Sequence, residues 1–133
     1  MQFSHLHNHS QFSLLDGASK ISSMFKKAKE DNMPAVAITD HGNMFGVFQF
    51  VAEAGKHGVK PIVGCEFYLV TDRLKQVFTK ELKDKRYHQL FLAKNPEGYQ
   101  NLIKLCSLGF MEGMYSKYPR IDKELVLKYH KGL

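Results

Sequence analysis

The sequence has 133 residues, enough for one domain with a real core. It has no apolar run of about 18 residues and no charged-then-apolar start, which argues against a membrane span and a secretory signal. The formal charge of +6, from 19 Lys and Arg against 13 Asp and Glu, suits an anionic partner such as nucleic acid, or simply a solvated surface; charge alone does not separate these.

In chain order, residues 3–9 alternate. Phe3, His5, His7 and His9 share one face of a predicted strand, and Ser4, Leu6 and Asn8 share the other. From Ser19 the period changes: Ile21, Met24, Phe25 and Ala28 follow helical spacing, and Met33-Pro34 ends the helix near Asn32. Residues 35–39, AVAIT, read as a buried strand broken by DHGN. A second helix carries Val47, Phe48, Val51, Ala52 and Gly55 and closes at Gly58. KPIVG at 60–64 is a third strand that EFYLVT can extend. Short connections between such units predict α/β architecture with parallel strands and right-handed crossovers.

Residues 72–86 are charged and aperiodic, an excursion expected as a hairpin or ragged helix. HQLFLA at 88–93 is a fourth strand. Asn95 then caps a helix with Pro96 in its first position, burying Tyr99, Leu102, Ile103 and Cys106. A Gly/Tyr/Pro-rich loop leads to a last helix over about residues 122–130, closed by Gly132. Cys65 and Cys106 lie in apolar contexts without CxxC spacing, and reduced, buried thiols of a cytoplasmic protein are expected.

Parallel β/α folds gather functional residues at the C-terminal ends of strands. His7, His9 and Asp16 follow the first strand, Asp40 and His41 the second, and Glu66 the third. Imidazoles and carboxylates together suit Zn²⁺, Mn²⁺ or Fe²⁺. Two residues apart on one strand face, His7 and His9 have Cα atoms roughly 6.5–7 Å apart, so both rings can reach one ion. Each piece alone has an ordinary reading: H-x-H as a chance pair, Asp40 as the cap of the next helix, Glu66 as a surface carboxylate. Their conjunction at equivalent strand ends favours a metal centre.

The segments HLHNHSQFSLLDGASKI, MPAVAITDHGNMFG, GVKPIVGCEFY, HQLFLAKNPEGYQNLIKL and PRIDKELV, in this order, resemble the N-terminal PHP (polymerase and histidinol phosphatase) domain of bacterial replicative DNA polymerase III alpha subunits. The resemblance covers nearly the whole chain. It implies part of a distorted (β/α)7 barrel with a trinuclear divalent-metal site. His7 and His9 match the H-x-H pair, Asp16 the acid of LLDG, His41 the histidine of TDHG, Glu66 the glutamate of the third strand, and His88 a histidine before the fourth. The family's other three ligands, a Cys and a D-x-H pair, would lie beyond Leu133, so 1–133 is expected to be an incomplete PHP domain. One ion would take His7, His9 and Glu66, a second Glu66 and His88, and a third Asp16 and His41. Only the first would then keep three ligands here.

The resemblance further implies 3′→5′ exonuclease or proofreading activity on DNA in the intact domain, Mg²⁺ for the polymerase activity of the parent chain, other replicase subunits as partners, and no membrane. Negligible nuclease activity is expected of 1–133 alone, with self-association through an open sheet edge. The principal rival is an inactive domain with a structural or partner-binding role. An amidohydrolase also opens a β/α barrel with H-x-H, but does not require LLDG, TDHG and GCE together. His88 precedes its predicted strand and so fits the strand-end rule poorly. His5 is expected to line the rim, and His57 and His130 to sit near helix ends without a chemical role. Phe3, Phe48 and Phe67 are expected in the core.

Overall fold

The structure is a computed structural model that describes residues 3–14 and 16–133. In chain order its elements are α1 (Ile21–Glu30), β1 (Ala35–Ile38), α2 (Val47–His57), β2 (Lys60–Val70), β3 (Tyr87–Leu92), α3 (Pro96–Met111), β4 (Met114–Tyr115), β5 (Tyr118–Asp122) and α4 (Lys123–Tyr129). None of its helices is long and apolar enough to cross a membrane.

The long strand β2 organises the sheet. On one edge it pairs in parallel with β1, from Ala35 opposite Lys60 to Ile38 opposite Val63. Farther along, it pairs in parallel with β5, from Tyr68 opposite Arg120 to Val70 opposite Asp122. Glu66 bridges to His41 while also facing Leu90 of β3, so β1 and β5 share one edge and β3 takes the other.

The strand β3 runs antiparallel to β2, contrary to the parallel fourth strand expected. Residues 72–86 explain the difference. They form neither hairpin nor helix. A parallel return needs a crossover, usually helical, whereas an irregular loop can turn the chain straight back. The excursion folds around Arg120, which is fully buried. Arg120 donates to the carbonyls of Arg73 and Lys75 at 3.0 and 2.9 Å and lies 3.1 Å from Asp84. Arg120 belongs to β5, which lies in the stretch expected as a loop; its Pro and charged residues hide a strand in the sequence.

The expected first strand is also different. Residues 3–9 form no regular ladder and are pinned beside β1 at separate points. Ala37 N–H donates to the His5 carbonyl at 3.0 Å, and Thr39 N–H to the Asn8 carbonyl at 2.9 Å. Asn8 completes the seam: its side-chain amide donates to the Ala37 carbonyl at 3.1 Å and its N–H to Thr39 Oγ at 2.8 Å. Side-chain bonds thus replace part of a ladder.

Helix α1 buries Ile21, Phe25 and Ala28 as its spacing predicts. Helix α2 buries Val47 as expected, but continues with Phe50 and Ala54 in place of Phe48 and Val51; Phe48 is 88% exposed. Both stripes are apolar, and contact with α1 decides between them, the Phe25 and Phe50 rings lying 4.6 Å apart. Phe3 is also exposed, so of the three phenylalanines expected inside only Phe67 is buried. Asn95 caps α3 by accepting the Gly98 N–H at 2.9 Å. This helix buries Leu102 and Leu105, with Cys106 partly covered and Tyr99 at the surface. The core has two lobes, one between α1, β1 and α2 and one between β2, α3, β5 and α4, with Met44 and Val63 packing against both.

Candidate metal centre

The chain line of β1 continues past Ile38 until His41 stands level with Glu66. The Glu66 N–H donates to the Asp40 carbonyl at 3.1 Å, and the Gly42 N–H to the Glu66 carbonyl at 2.8 Å. Glu66 therefore lies in the middle of β2, not after its strand, yet at the level where β1 ends. Gly42 turns the chain away at φ 61°, and a Cβ there would lie 2.7 Å from Pro119 Cγ, so this position needs glycine on both counts. Antiparallel β3 brings its first residues to the same rim and sets His88 opposite Tyr68. The direction of β3 removes the difficulty with His88.

Glu66 is the hub. Its Oε2 lies 2.8 Å from His7 Nε2, 2.9 Å from His9 Nε2 and 3.4 Å from His41 Nδ1. Its Oε1 lies 2.5 Å from His88 Nδ1. His7 and His9 bring their Nε2 atoms within 3.2 Å of each other, and His41 Nε2 lies 2.5 Å from Asp16. All six residues expected from the sequence meet. They form three groups of three converging donors: His7, His9 and Glu66; His9, Asp16 and His41; and His41, Glu66 and His88. Each group thus has three donors, where the resemblance implied only one complete set; His9, His41 and Glu66 each serve twice.

Ligand atoms about 2.0–2.1 Å from a tetrahedral ion are roughly 3.3 Å apart. The first group's spacing of 2.8 to 3.2 Å comes close to that. His41 Nδ1 is buried and has no hydrogen-bond partner among the described residues, a costly state that a cation would relieve. Burial, then the neighbouring His41, lowers the His9 pKa. Burial pushes the Glu66 carboxyl up, but hydrogen bonds from His7 and His88 outweigh it and leave the group below its ordinary value. Both directions favour the forms that donate lone pairs to a cation, neutral imidazole and carboxylate. The donor set fits divalent ions.

A second layer of contacts holds the donors. Buried Asp40 accepts the Ser10 N–H at 2.5 Å, the Ser10 hydroxyl at 2.7 Å and the Ser13 hydroxyl at 3.0 Å. It neither faces the donors nor caps α2, whose cap position is Gly46. Ser13 Oγ also accepts the His41 N–H at 3.0 Å and lies 3.4 Å from His9 Nδ1. With its single proton given to Asp40, Ser13 can accept from His9 Nδ1–H, which leaves the His9 Nε2 lone pair turned to the cluster. The Gln11 N–H reaches the Ser19 carbonyl at 2.9 Å. At Gly17 a Cβ would lie 1.9 Å from the Ser10 carbonyl oxygen, so only glycine permits the closure that returns Asp16 to the rim. The Asp40–serine clamp escaped the sequence reading; its only signal was a cluster of small polar residues beside H-x-H.

Other histidines stand apart. His5 packs edge-on to Phe3 and lines a separate hollow rather than the rim. His57 pairs with Glu53 at 3.1 Å, and His130 Nδ1 lies 2.8 Å from the Leu127 carbonyl. Both cysteines are free, Cys65 buried and Cys106 partly so.

A mixed sheet that sets imidazoles and carboxylates at one rim is the architecture of metal-site β/α barrels. The PHP domain family model matches residues 5–133. The chain belongs to the PHP domain family, and it is similar to the segment of that family found in DNA polymerase III alpha subunits. It is 49% identical over 132 residues to the DNA polymerase III subunit alpha of Borreliella burgdorferi, covering 99% of this chain and 11% of that protein. The corresponding Helicobacter pylori protein is 47% identical over 98% of this chain and 10% of its own length. That of Thermus aquaticus is 46% identical over 100% and 11%. The chain thus spans about a tenth of these relatives. Among solved structures, a candidate metal-dependent phosphoesterase from Bifidobacterium adolescentis superposes with a TM-score of 0.56 at 21% identity, covering 80% of this chain and 32% of that one. An amidohydrolase from Chromobacterium violaceum gives 0.55 at 22%, covering 78% and 32%. These two share the fold.

Proposed function

We propose that this chain carries a PHP-type, metal-dependent phosphoesterase site within a bacterial replicative DNA polymerase, acting on the 3′ end of DNA as a 3′→5′ exonuclease. The observation that carries the reading is the contact of one carboxylate, Glu66, with four imidazoles. His7, His9 and Glu66 would hold one ion, His9, Asp16 and His41 another, and His41, Glu66 and His88 a third. Divalent ions there would polarise a phosphodiester oxygen, acidify a bound water and stabilise the leaving oxygen. The residues' own part is to fix these donors: Asp40 and Ser13 lock His9 and the backbone of His41, and β3 holds His88 in register. The same reading takes DNA and other replicase subunits as partners and a cytoplasmic location, with the polymerase relatives as its support, and Mg²⁺ would serve the polymerase activity.

The test is metal-dependent release of nucleotides from a 3′-labelled strand by the whole polymerase polypeptide. Activity lost in His9→Ala supports the reading; no metal-dependent digestion by the wild type sinks it. A second reading, a structural or partner-binding domain without catalysis, draws on surface hydrophobics such as Phe48 and Met111, 88% and 80% exposed. An inactive wild type that still binds metal would favour it.

A further inference from the structure

Two of the three donor groups, through Asp16, His41 and His88, open onto a cavity of about 780 Å³. Arg86, Lys117 and Tyr118 also line it, as do Phe45 and Phe110. None of these five belongs to the donor groups.

The Arg86 guanidinium carbon lies 3.8 Å from the centre of the Tyr118 ring, and Lys117 Nζ lies 5.5 Å from the same ring. Tyr118 packs edge-on to Tyr68 at 5.0 Å, and Tyr68 packs edge-on to His88 at 5.3 Å. Two ring contacts therefore separate the cations from the candidate metal donors. Arg86 also pairs with Asp84. That carboxylate is shared, its other oxygen lying 3.1 Å from Arg120. One buried acid between two guanidiniums leaves a surplus positive charge. The surplus emerges at Arg86, whose side chain is 27% exposed, because that of Arg120 is fully buried.

We infer that Arg86 and Lys117, braced on Tyr118, form a subsite for a second phosphate of a single-stranded polynucleotide, next to the phosphodiester at the metal donors. The inference rests on the phosphoesterase reading and adds a substrate preference. A guanidinium pinned on one side by a carboxylate and stacked on a ring has lost little freedom still to be lost on binding, and its remaining N–H groups match phosphate oxygens. A phosphate monoester has no second phosphate and would leave the subsite empty. Phe45 and Phe110, 62% and 37% exposed with ring centres 6.1 Å apart, offer aromatic surface on which bases stack without regard to sequence. The competing role for Arg86 is a strut that only holds Asp84.

The experiment measures binding of a labelled single-stranded oligonucleotide to the manganese-treated chain across a salt series, with metal content determined for every variant. Each phosphate contact in a single-strand complex contributes about 0.7 to the slope of log affinity against log salt. Arg86→Gln is expected to keep the wild-type metal content, bind about tenfold more weakly and lose about 0.7 of slope. Arg86→Lys should recover the slope and only part of the affinity. Lys117→Gln tests the same wall without touching Asp84, and should also lower the slope if Arg86→Gln fails to fold. Lys60→Gln, at the far end of β2 from Glu66, should change nothing. An unchanged slope in Arg86→Gln and Lys117→Gln, or an equal loss in Lys60→Gln, overturns the subsite. A wild type without metal overturns the phosphoesterase reading instead, and the slopes still decide the subsite.

Discussion

His88 Nδ1 lies 2.5 Å from Oε1 of Glu66 although 22 residues separate them in the chain. The contact exists because β3 runs back along β2. The His88 side chain is half exposed while that of Glu66 is 5% exposed, so the pair has one accessible and one protected member. His88→Ala should leave stability within about 1 kcal/mol of wild type. It should weaken binding of an ion beyond the first, with little effect on the first, because His88 belongs to only one donor group. Manganese titration followed by electron paramagnetic resonance reads both affinities.

The Asp40 clamp predicts a different phenotype. Asp40→Ala would leave the Ser10 N–H and two hydroxyls without their acceptor in the interior. Buried unsatisfied groups cost about 1–3 kcal/mol each, so a loss of about 3 kcal/mol or more is expected in urea denaturation. Asp40→Asn keeps the shape and one acceptor oxygen, and should lose less. Both variants should bind metal more weakly under conditions where they remain folded.

Residues whose role is local were legible in the sequence. Asn95 and Pro96 start α3 as read, and the two-residue spacing of His7 and His9 brings both rings to one carboxylate. The direction of β3 was not legible, because it depends on what residues 72–86 do, and those are organised by Arg120 from beyond α3. The strand β5 was hidden for the same reason: its buried arginine looks like a surface residue until its partners are known. The two apolar stripes of α2 were equivalent until α1 chose between them. Asp40 is a buried acid without a local signature, and its serine partners lie 27 and 30 residues away.

Acid stability should depend on Asp122. Burial pushes its carboxyl up, but the N–H groups of Leu125 and Arg73 and the Arg73 guanidinium outweigh this and hold it below the ordinary value. Its folded pKa is thus below the unfolded value of about 3.9. The stabilisation is fully present above that pH and is lost as pH falls through the folded value. Asp122→Asn should cost about 2 kcal/mol near pH 7, with the difference from wild type shrinking below pH of about 4. Denaturation midpoints across a pH series would contradict this if the difference grew in acid.

Self-association is expected through β3. The segment 3–9 covers the outer edge of β1, whereas among the described residues β3 pairs with β2 alone. A free strand edge is a template for another chain. Sedimentation at micromolar concentration should show reversible dimers, and a clean monomer would refute the expectation.

Metal content of the purified chain, measured by elemental analysis beside Glu66→Gln, bears most directly on the site. The wild type should retain about one equivalent of a tightly held divalent ion at His7, His9 and Glu66. Glu66→Gln keeps the size of the side chain but loses the charge that four imidazoles face, and should retain almost none. A metal-free wild type under metal-replete conditions, or a Glu66→Gln variant that holds its ion as tightly, would contradict a metal centre built on Glu66.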